Sequence, residues 1–307
     1  MPRVSILLTC YNHIAYIEAA VAGVRAQMYR DFEIIAIDDG STDGTREWLS
    51  AQPDIQCIFN STNLGTYATL NVGLERATGE FTAVLNDDDV WHPEKLARQV
   101  ALLDSNSKVG LVHTGGHFIN GKGERTEGNP LGFRFPTFET GDILLGLVYE
   151  NKIIASAALA RTAILRELGG FNPDYFGSGD WEMWFRVAEQ HHVGFVDAPL
   201  TDYRVHGANA SHKLERIWRD DERLRLWIES RLTHLADEGR FADRLDDYRN
   251  ARAFNFAALG TVKMLNGDAA AARRSYAASI RLAPSRWKSY ARWALTFAGK
   301  NAFRKSL

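Results

Sequence analysis

The sequence predicts an α/β fold: a sheet-and-helix domain followed by an α-helical extension. Three observations lead there. Short β-rich runs alternate with helical apolar patterns through the first half of the chain. Polar clusters stand directly after the strand-like runs, where ligands collect in open α/β sheets. From residue 214 the chain becomes strongly charged and helical in pattern.

The elements follow in order. Val4-Ser5-Ile6-Leu7-Leu8 reads as a buried strand, followed by polar residues 9–13 and a helix with Ile14, Ile17, Val21 and Val24 on one face. Glu33-Ile34-Ile35-Ala36-Ile37 is a second strand ending at Asp38-Asp39-Gly40-Ser41. The Ser41-Thr42-Asp43-Gly44 run offers caps for the next helix. Residues 55–59 make a third strand, 69–77 a helix, and Phe81-Thr82-Ala83-Val84-Leu85 a fourth strand. Residues 109–199 mix strands, turns at Gly115-Gly116 and Gly121-Lys122-Gly123, and two helical patterns, one of them over 180–187.

Length and composition narrow the class. A chain of 307 residues can hold one large domain and a smaller appendage, divided here as 1–212 and 213–307. With 45% hydrophobic and 24% charged residues it reads as soluble and globular. No stretch is apolar enough to span a bilayer, and the N-terminal run ends too soon for a signal peptide. Cys10 and Cys57 are too few for a disulfide framework or a thiolate metal cluster, so a reducing, cytoplasmic setting is expected.

Charge is unevenly placed. Between residues 252 and 307 eleven Lys and Arg face one acid, Asp268, a formal +10, which leaves −12 for residues 1–251 within the total of −2. Such a tail is expected to meet something anionic. Phe256, Leu259, Gly260, Gly267, Ala272, Tyr276 and Pro284 fall where a tetratricopeptide repeat places its large, small and terminating residues, so one repeat-like helical hairpin is expected. Beyond it, Trp287, Tyr290, Ala294 and Phe297 form a helical stripe with Lys and Arg elsewhere. That stripe suits an interfacial helix on an anionic membrane, which would make the chain peripheral on the inner face. It equally suits packing against the hairpin or a second subunit.

Four constellations carry chemistry. Asp87-Asp88-Asp89, after the fourth strand, can bind a hard cation such as Mn²⁺ or Mg²⁺ together with substrate phosphates, or be a solvated turn capping the helix near Pro93. Asp39 can accept from a base N–H or a ribose hydroxyl, although Asp-Gly-Ser is also common turn chemistry. Asp180, between glycines and Trp181, could serve as a general base or as a helix N-cap. His206, in Tyr203-Arg204-Val205-His206, could complete a metal shell or contact a diphosphate, whereas a lone surface His is usually neither. Trp91 and Trp181 could stack on an acceptor sugar or belong to the core.

The order of these motifs is more specific than any one of them. Val4-Ser5-Ile6-Leu7-Leu8-Thr9-Cys10-Tyr11-Asn12, Ile37-Asp38-Asp39-Gly40-Ser41, Asn63-Leu64-Gly65, Asn86-Asp87-Asp88-Asp89, Gly179-Asp180-Trp181-Glu182 and Tyr203-Arg204-Val205-His206 succeed one another over residues 2–211. The arrangement resembles the inverting glycosyltransferases of family 2. That resemblance implies the GT-A fold, the Rossmann-like nucleotide-diphospho-sugar transferase architecture. It places Thr9, Tyr11, Asp39, Asn63 and Asp87 at the nucleotide of a sugar donor, Asp88 and His206 at a divalent metal, and Asp180 as the catalytic base. Two positions depart from the family pattern. Asn86 replaces the first Asp of the Asp-x-Asp motif, and Gly179 stands where many relatives carry Glu.

The expected reaction moves a sugar, in such families most often UDP-linked, to a hydroxyl of a glycan or lipid-linked acceptor, as in surface polysaccharide assembly. No nucleic-acid partner is expected. Rival readings are a nucleotidyltransferase, which would need a basic triphosphate-cradling loop where Tyr11-Asn12-His13-Ile14 stands, and an inactive nucleotide-sugar-binding module with a protein-interaction tail.

Overall fold

The computed structural model describes residues 1–126, 135, 139–151, 153–207, 209 and 213–305. The chain forms two units, Met1–Ile143 with Lys152–Ala210, and Leu144–Asn151 with Ser211–Leu307.

The first unit is built on strands β1 (Val4–Cys10), β2 (Phe32–Asp38), β3 (Gln56–Phe59), β4 (Phe81–Asn86), β5 (Val90–Trp91), β6 (Val109–Ile119), β7 (Leu159–Arg161) and β8 (His192–Arg204). They join in one sheet in the order β3-β2-β1-β4-β7-β6-β8-β5. The β3-β2-β1-β4 portion is parallel, β7 runs antiparallel to β4 and β6, and β8 is parallel to β6. Helices α1 (Ile14–Arg25), α2 (Thr45–Ser50), α3 (Thr66–Arg76) and α4 (Lys95–Ser105) connect the early strands. Every residue of β1 is buried, which is why it reads as an unbroken apolar run rather than an alternating one. Each such Ile, Leu or Val contributes about 1.5–3 kcal/mol relative to exposure. On α1 the buried stripe is Ile17, Ala20, Val21 and Val24, while Ile14 at its start is exposed.

Register decides where the site lies. Cys10 pairs with Asp38, and Thr9 pairs with Asn86. The last residues of β1, β2 and β4 therefore stand side by side at one edge of the sheet.

Gly115-Gly116, expected as a turn, lies inside β6 at a break in its register with β8. A Cβ on Gly116 would fall 1.9 Å from the Thr201 carbonyl oxygen, so the glycine serves a close strand approach. Gly121-Lys122-Gly123 does form a turn, closed by Asn120 N donating to Glu124 O at 2.9 Å.

The second unit comprises α5 (Leu144–Tyr149), α8 (Leu214–Asp237), α9 (Leu245–Asn266), α10 (Ala269–Leu282), α11 (Trp287–Leu295) and α12 (Lys300–Arg304); α6 (Thr162–Glu167) and α7 (Gly179–Gln190) belong to the first. α9 and α10 form a hairpin. Gly267, with φ 99°, ends α9 in the left-handed region, and the Asp268 carboxylate caps α10 by accepting from Ala271 N at 2.8 Å. The lone acid of the tail is thus a helix cap. Tyr276 is fully buried in the hairpin, its hydroxyl 2.8 Å from Thr261 Oγ1.

The expected division at residues 212 and 213 assigned everything before it to the first unit. Helix α5 instead groups with the second. Leu144, Leu147 and Val148 are fully buried, and the Tyr149 ring lies 4.8 Å from that of Phe254. A six-residue helix of sequence LLGLVY has almost no polar face to leave in water. Residues 210–212, just before the expected boundary, lie outside the described residues. Among the described residues no helix is long and apolar enough to cross a membrane.

Candidate functional site

The three adjacent carboxylates are buried, Asp87 to 3%, Asp88 to 7% and Asp89 to 0% exposure. The solvated helix-cap alternative therefore fails, and α4 starts instead behind Glu94 with no side-chain cap. Mutual repulsion is relieved because each carboxylate turns to a different partner. Asp87 accepts from Tyr11 N at 3.0 Å and pairs with His13 Nδ1 at 2.7 Å. Asp88 meets His206 Nε2 at 3.0 Å and accepts from Asn209 Nδ2 at 3.1 Å. Asp89 accepts from Arg204 N at 2.9 Å and from Ser156 Oγ at 2.5 Å.

Their electrostatics differ accordingly. Burial pushes the Asp89 carboxyl well above the usual range, and the Asp88 charge adds to this against the bonds from Ser156 and Arg204. Through these two bonds Asp89 clamps strand backbone to the short helical turn Ala155–Ala157. Burial lowers the His13 imidazole, but the Asp87 bond and the charges of Asp87, Asp88 and Asp43 outweigh it and lift it to about 9. A proton on His13 therefore balances these carboxylates at neutral pH, and a divalent ion that took this imidazole as a ligand would have to displace it.

His13, Asp88 and His206 offer ligand atoms that all lie within 4.8 Å of one another. An octahedral ion with bonds near 2.1 Å places its ligands roughly 3–4.2 Å apart. Two imidazoles and a carboxylate thus have the donor types, and nearly the spacing, of a divalent-cation site. The His13 and His206 rings meet edge to face at 5.1 Å, and the Tyr16 ring lies 4.7 Å from His206.

On the other flank, Asp38 and Asp39 hold loops. Asp38 accepts from Ser41 N at 3.3 Å and pairs with Arg46 Nε at 3.4 Å. Asp39 accepts from Asn60 Nδ2 at 2.9 Å, Leu64 N at 2.8 Å and Gly65 N at 2.9 Å. The predicted donor contact Asn63 is exposed on the loop that Asp39 fixes. Thr9 is buried and donates to Asn86 Oδ1 at 3.3 Å, a role in which Asn serves as well as Asp. Tyr11 is 45% exposed at the end of β1. Asn12 takes φ 55° in the same turn, held by Ser41 Oγ and Thr42 N.

Asp180 occupies the first turn of α7, where a carboxylate is favoured by the helix dipole. Its Oδ1 accepts from Trp181 N at 2.8 Å and from the Tyr67 hydroxyl at 3.3 Å. Burial, with the Asp180 charge, raises the Tyr67 phenol well above its ordinary value, so it stays a donor. A Cβ on Gly179 would lie 2.7 Å from the Tyr67 ring. Tyr67 thus fills the space beside Gly179. Below, Arg186 pairs with Glu182 at 2.8 Å and donates to the Leu168 and Gly170 carbonyls, fixing α7 against the preceding loop.

The two expected acceptor tryptophans are both buried. Trp91 is 2% exposed, donates to Ser156 O at 2.6 Å and has Lys95 Nζ 3.9 Å from its ring centroid; it belongs to the core and offers no face to a sugar. Trp181 is 8% exposed, which leaves little of its indole for stacking. Sequence reasoning missed His13, Tyr67, Ser156 and Asn209. Only His13 left a trace, as the last polar residue after the first strand.

Ser156 joins two of these systems, accepting from Asn86 N at 3.0 Å while donating to Asp89. Ser156→Ala would strand both groups in a fully buried position. The expected loss is about 1–3 kcal/mol of stability, read as a lower denaturation midpoint at unchanged m-value. An unchanged midpoint would remove Ser156 from this role.

Residues 5–168, just over half of the chain, match the family model described as Glycosyl transferase family 2. The chain belongs to that family. An uncharacterized glycosyltransferase of Rickettsia typhi is 28% identical to this family 2 member over 225 residues, 71% of this chain and 70% of the relative. One from a Nostoc species is 38% identical over 116 residues, 36% of each chain. Among solved structures, Staphylococcus aureus TarS 1–349 in complex with UDP-GlcNAc aligns with TM-score 0.62 and 18% identity, covering 95% of this chain and 92% of that one. A Pyrobaculum calidifontis mannosyltransferase in complex with GDP-Man and Mn²⁺ aligns with TM-score 0.58 and 22% identity, covering 99% and 86%. The family 2 chain thus has a GT-A-like fold with a helical C-terminal region.

Proposed function

We propose that this glycosyltransferase moves a sugar, with inversion, from a nucleotide-diphosphate sugar to a hydroxyl of a glycan or lipid-linked acceptor, as in surface polysaccharide assembly. The observation that carries this reading is the ring of His13, Asp88 and His206 at the shared strand ends. The UDP-GlcNAc and GDP-Man complexes of the structural neighbours support a nucleotide-sugar donor. UDP is the preferred nucleotide of this proposal.

Residue roles follow from placement. Thr9, Tyr11, Asp39 and Asn63 surround the ends of β1 and β2, where base and ribose would sit; Asp39 acts by setting the loop that carries Asn63. Asp87 orders the Tyr11 turn and His13. The donor set of two imidazoles and one carboxylate fits Mn²⁺ better than Mg²⁺, which favours oxygen-only shells. Asp88, His206 and His13 would hold a cation, which would supply charge stabilisation to a departing diphosphate. Asp180 takes the acceptor hydroxyl's proton. A carboxylate suffices because that proton becomes acidic only as the new bond forms at the anomeric carbon. Tyr67 and the Trp181 amide fix the carboxylate's direction through one oxygen, so the base is positioned before the acceptor arrives.

A thermal-shift panel of nucleotide sugars with Mn²⁺ or Mg²⁺ tests the reading. A donor at a hundredfold excess over its Kd stabilises the native state by about 2.7 kcal/mol, or roughly 5–10 °C for a domain of this size. The expected ligand is a UDP-sugar with Mn²⁺. No shift with any nucleotide sugar and metal would overturn the proposal.

A further inference from the structure

Helix α11 turns its aromatic stripe outward. Trp287, Tyr290, Trp293 and, just beyond the helix, Phe297 are 69%, 46%, 38% and 64% exposed. Ala291, Ala294 and Ala298 are exposed between them, so positions 287, 290, 291 and 294 form one apolar face at helical spacing. Packing of this stripe against the hairpin, the expected alternative, is limited: Phe297 meets Arg273 of α10, while the rings stay largely exposed. The inward side of the segment is taken by small polar residues, with Ser289 Oγ 2.9 Å from Ser279 Oγ of α10, and Thr296 buried beside it.

The segment that carries the stripe is basic. Residues 269–305 carry nine Lys and Arg and no acid. Arg273 places its guanidinium 4.7 Å from the Phe297 ring centroid, and Lys288 its ammonium 5.9 Å from that of Trp287. Lys288, Lys300, Arg304 and Lys305 are exposed. Rings with an apolar body and a polar edge, rimmed by cations, match the boundary between lipid headgroups and acyl chains, where anionic phosphates lie beside hydrocarbon.

We infer that α11 and the segment after it dock this chain on the surface of an anionic phospholipid bilayer. A second copy is the poorer occupant. Stripe against stripe would bring the Arg273 and Lys288 cations of the two copies together. Among the described residues the other exposed large apolar side chains, such as Met1, Met28, Phe59, Leu64, Leu226 and Leu245, are scattered along the chain, apart from Tyr11 and Ile14, three positions apart at and just before the start of α1. Docking of this kind is independent of the transfer chemistry proposed above.

Flotation of the full chain with phosphatidylcholine vesicles, with and without phosphatidylglycerol, is the test. Wild-type protein should float with the anionic vesicles and not with phosphatidylcholine alone, and raised salt should weaken the binding. Trp287→Ser with Phe297→Ser should cut the vesicle affinity by about tenfold or more while the melting curve stays superimposable, since both side chains are mostly exposed. No flotation of the wild type, or equal flotation of the double variant, overturns the inference. Light scattering that shows a dimer lost in the double variant, without flotation, overturns it in favour of a second copy.

Discussion

Asp180→Asn is expected to lower sugar transfer by about 10²–10⁴-fold, the usual contribution of a positioned general base. The substitution is close to isosteric. Its side-chain oxygen can still accept from the Tyr67 hydroxyl and from Trp181 N, so α7 and the surrounding loop should keep their places. Only the ability to take a proton goes. Donor binding by calorimetry should therefore match wild type while product formation collapses. Wild-type turnover in this variant would end the assignment of Asp180 as base. Tight loss of donor binding would instead show that its carboxylate supports the nucleotide side.

Asp88→Ala should abolish the metal dependence of nucleotide binding. In wild type, Mn²⁺ should tighten UDP binding by at least about tenfold, since a cation between a diphosphate and the protein relieves their repulsion. In the variant, titrations with and without Mn²⁺ should coincide. Removing Asp88 also leaves His206 Nε2 and Asn209 Nδ2 without their shared acceptor, a cost of about 1–3 kcal/mol. Asp88→Asn separates the two effects, because it keeps the volume and an acceptor while losing the charge. Preserved Mn²⁺ dependence in both variants would place the cation elsewhere.

Much of this architecture was legible because parallel strands covered on both faces leave apolar runs that need no partner to be recognised. β1, β2 and β4 are of this kind; β2 and β4 stop at Asp38 and Asn86, which pair with Cys10 and Thr9 at the end of β1. The acidic run was legible as a feature but not as a geometry. Its division among Tyr11, His206 and Arg204 depends on contacts 76 to 118 residues apart, which no local pattern encodes. Tyr67 escaped for the same reason, lying 113 residues from Asp180. Trp91 misled because an aromatic beside a polar motif looks like a binding surface. Its indole N–H finds a backbone carbonyl, and a buried lysine takes up its π face. Gly115-Gly116 misled because a glycine pair punctuates turns and bulged strands alike.

The contact between Gly179 and Tyr67 joins two distant positions of this chain into one shared volume. The ring and a side chain at 179 would compete for the same space. An acid placed at 179 would press on the ring whose hydroxyl donates to Asp180, and it would set a second carboxylate beside that group. The neutral hydroxyl at Asp180 therefore depends on a missing side chain far away in the sequence.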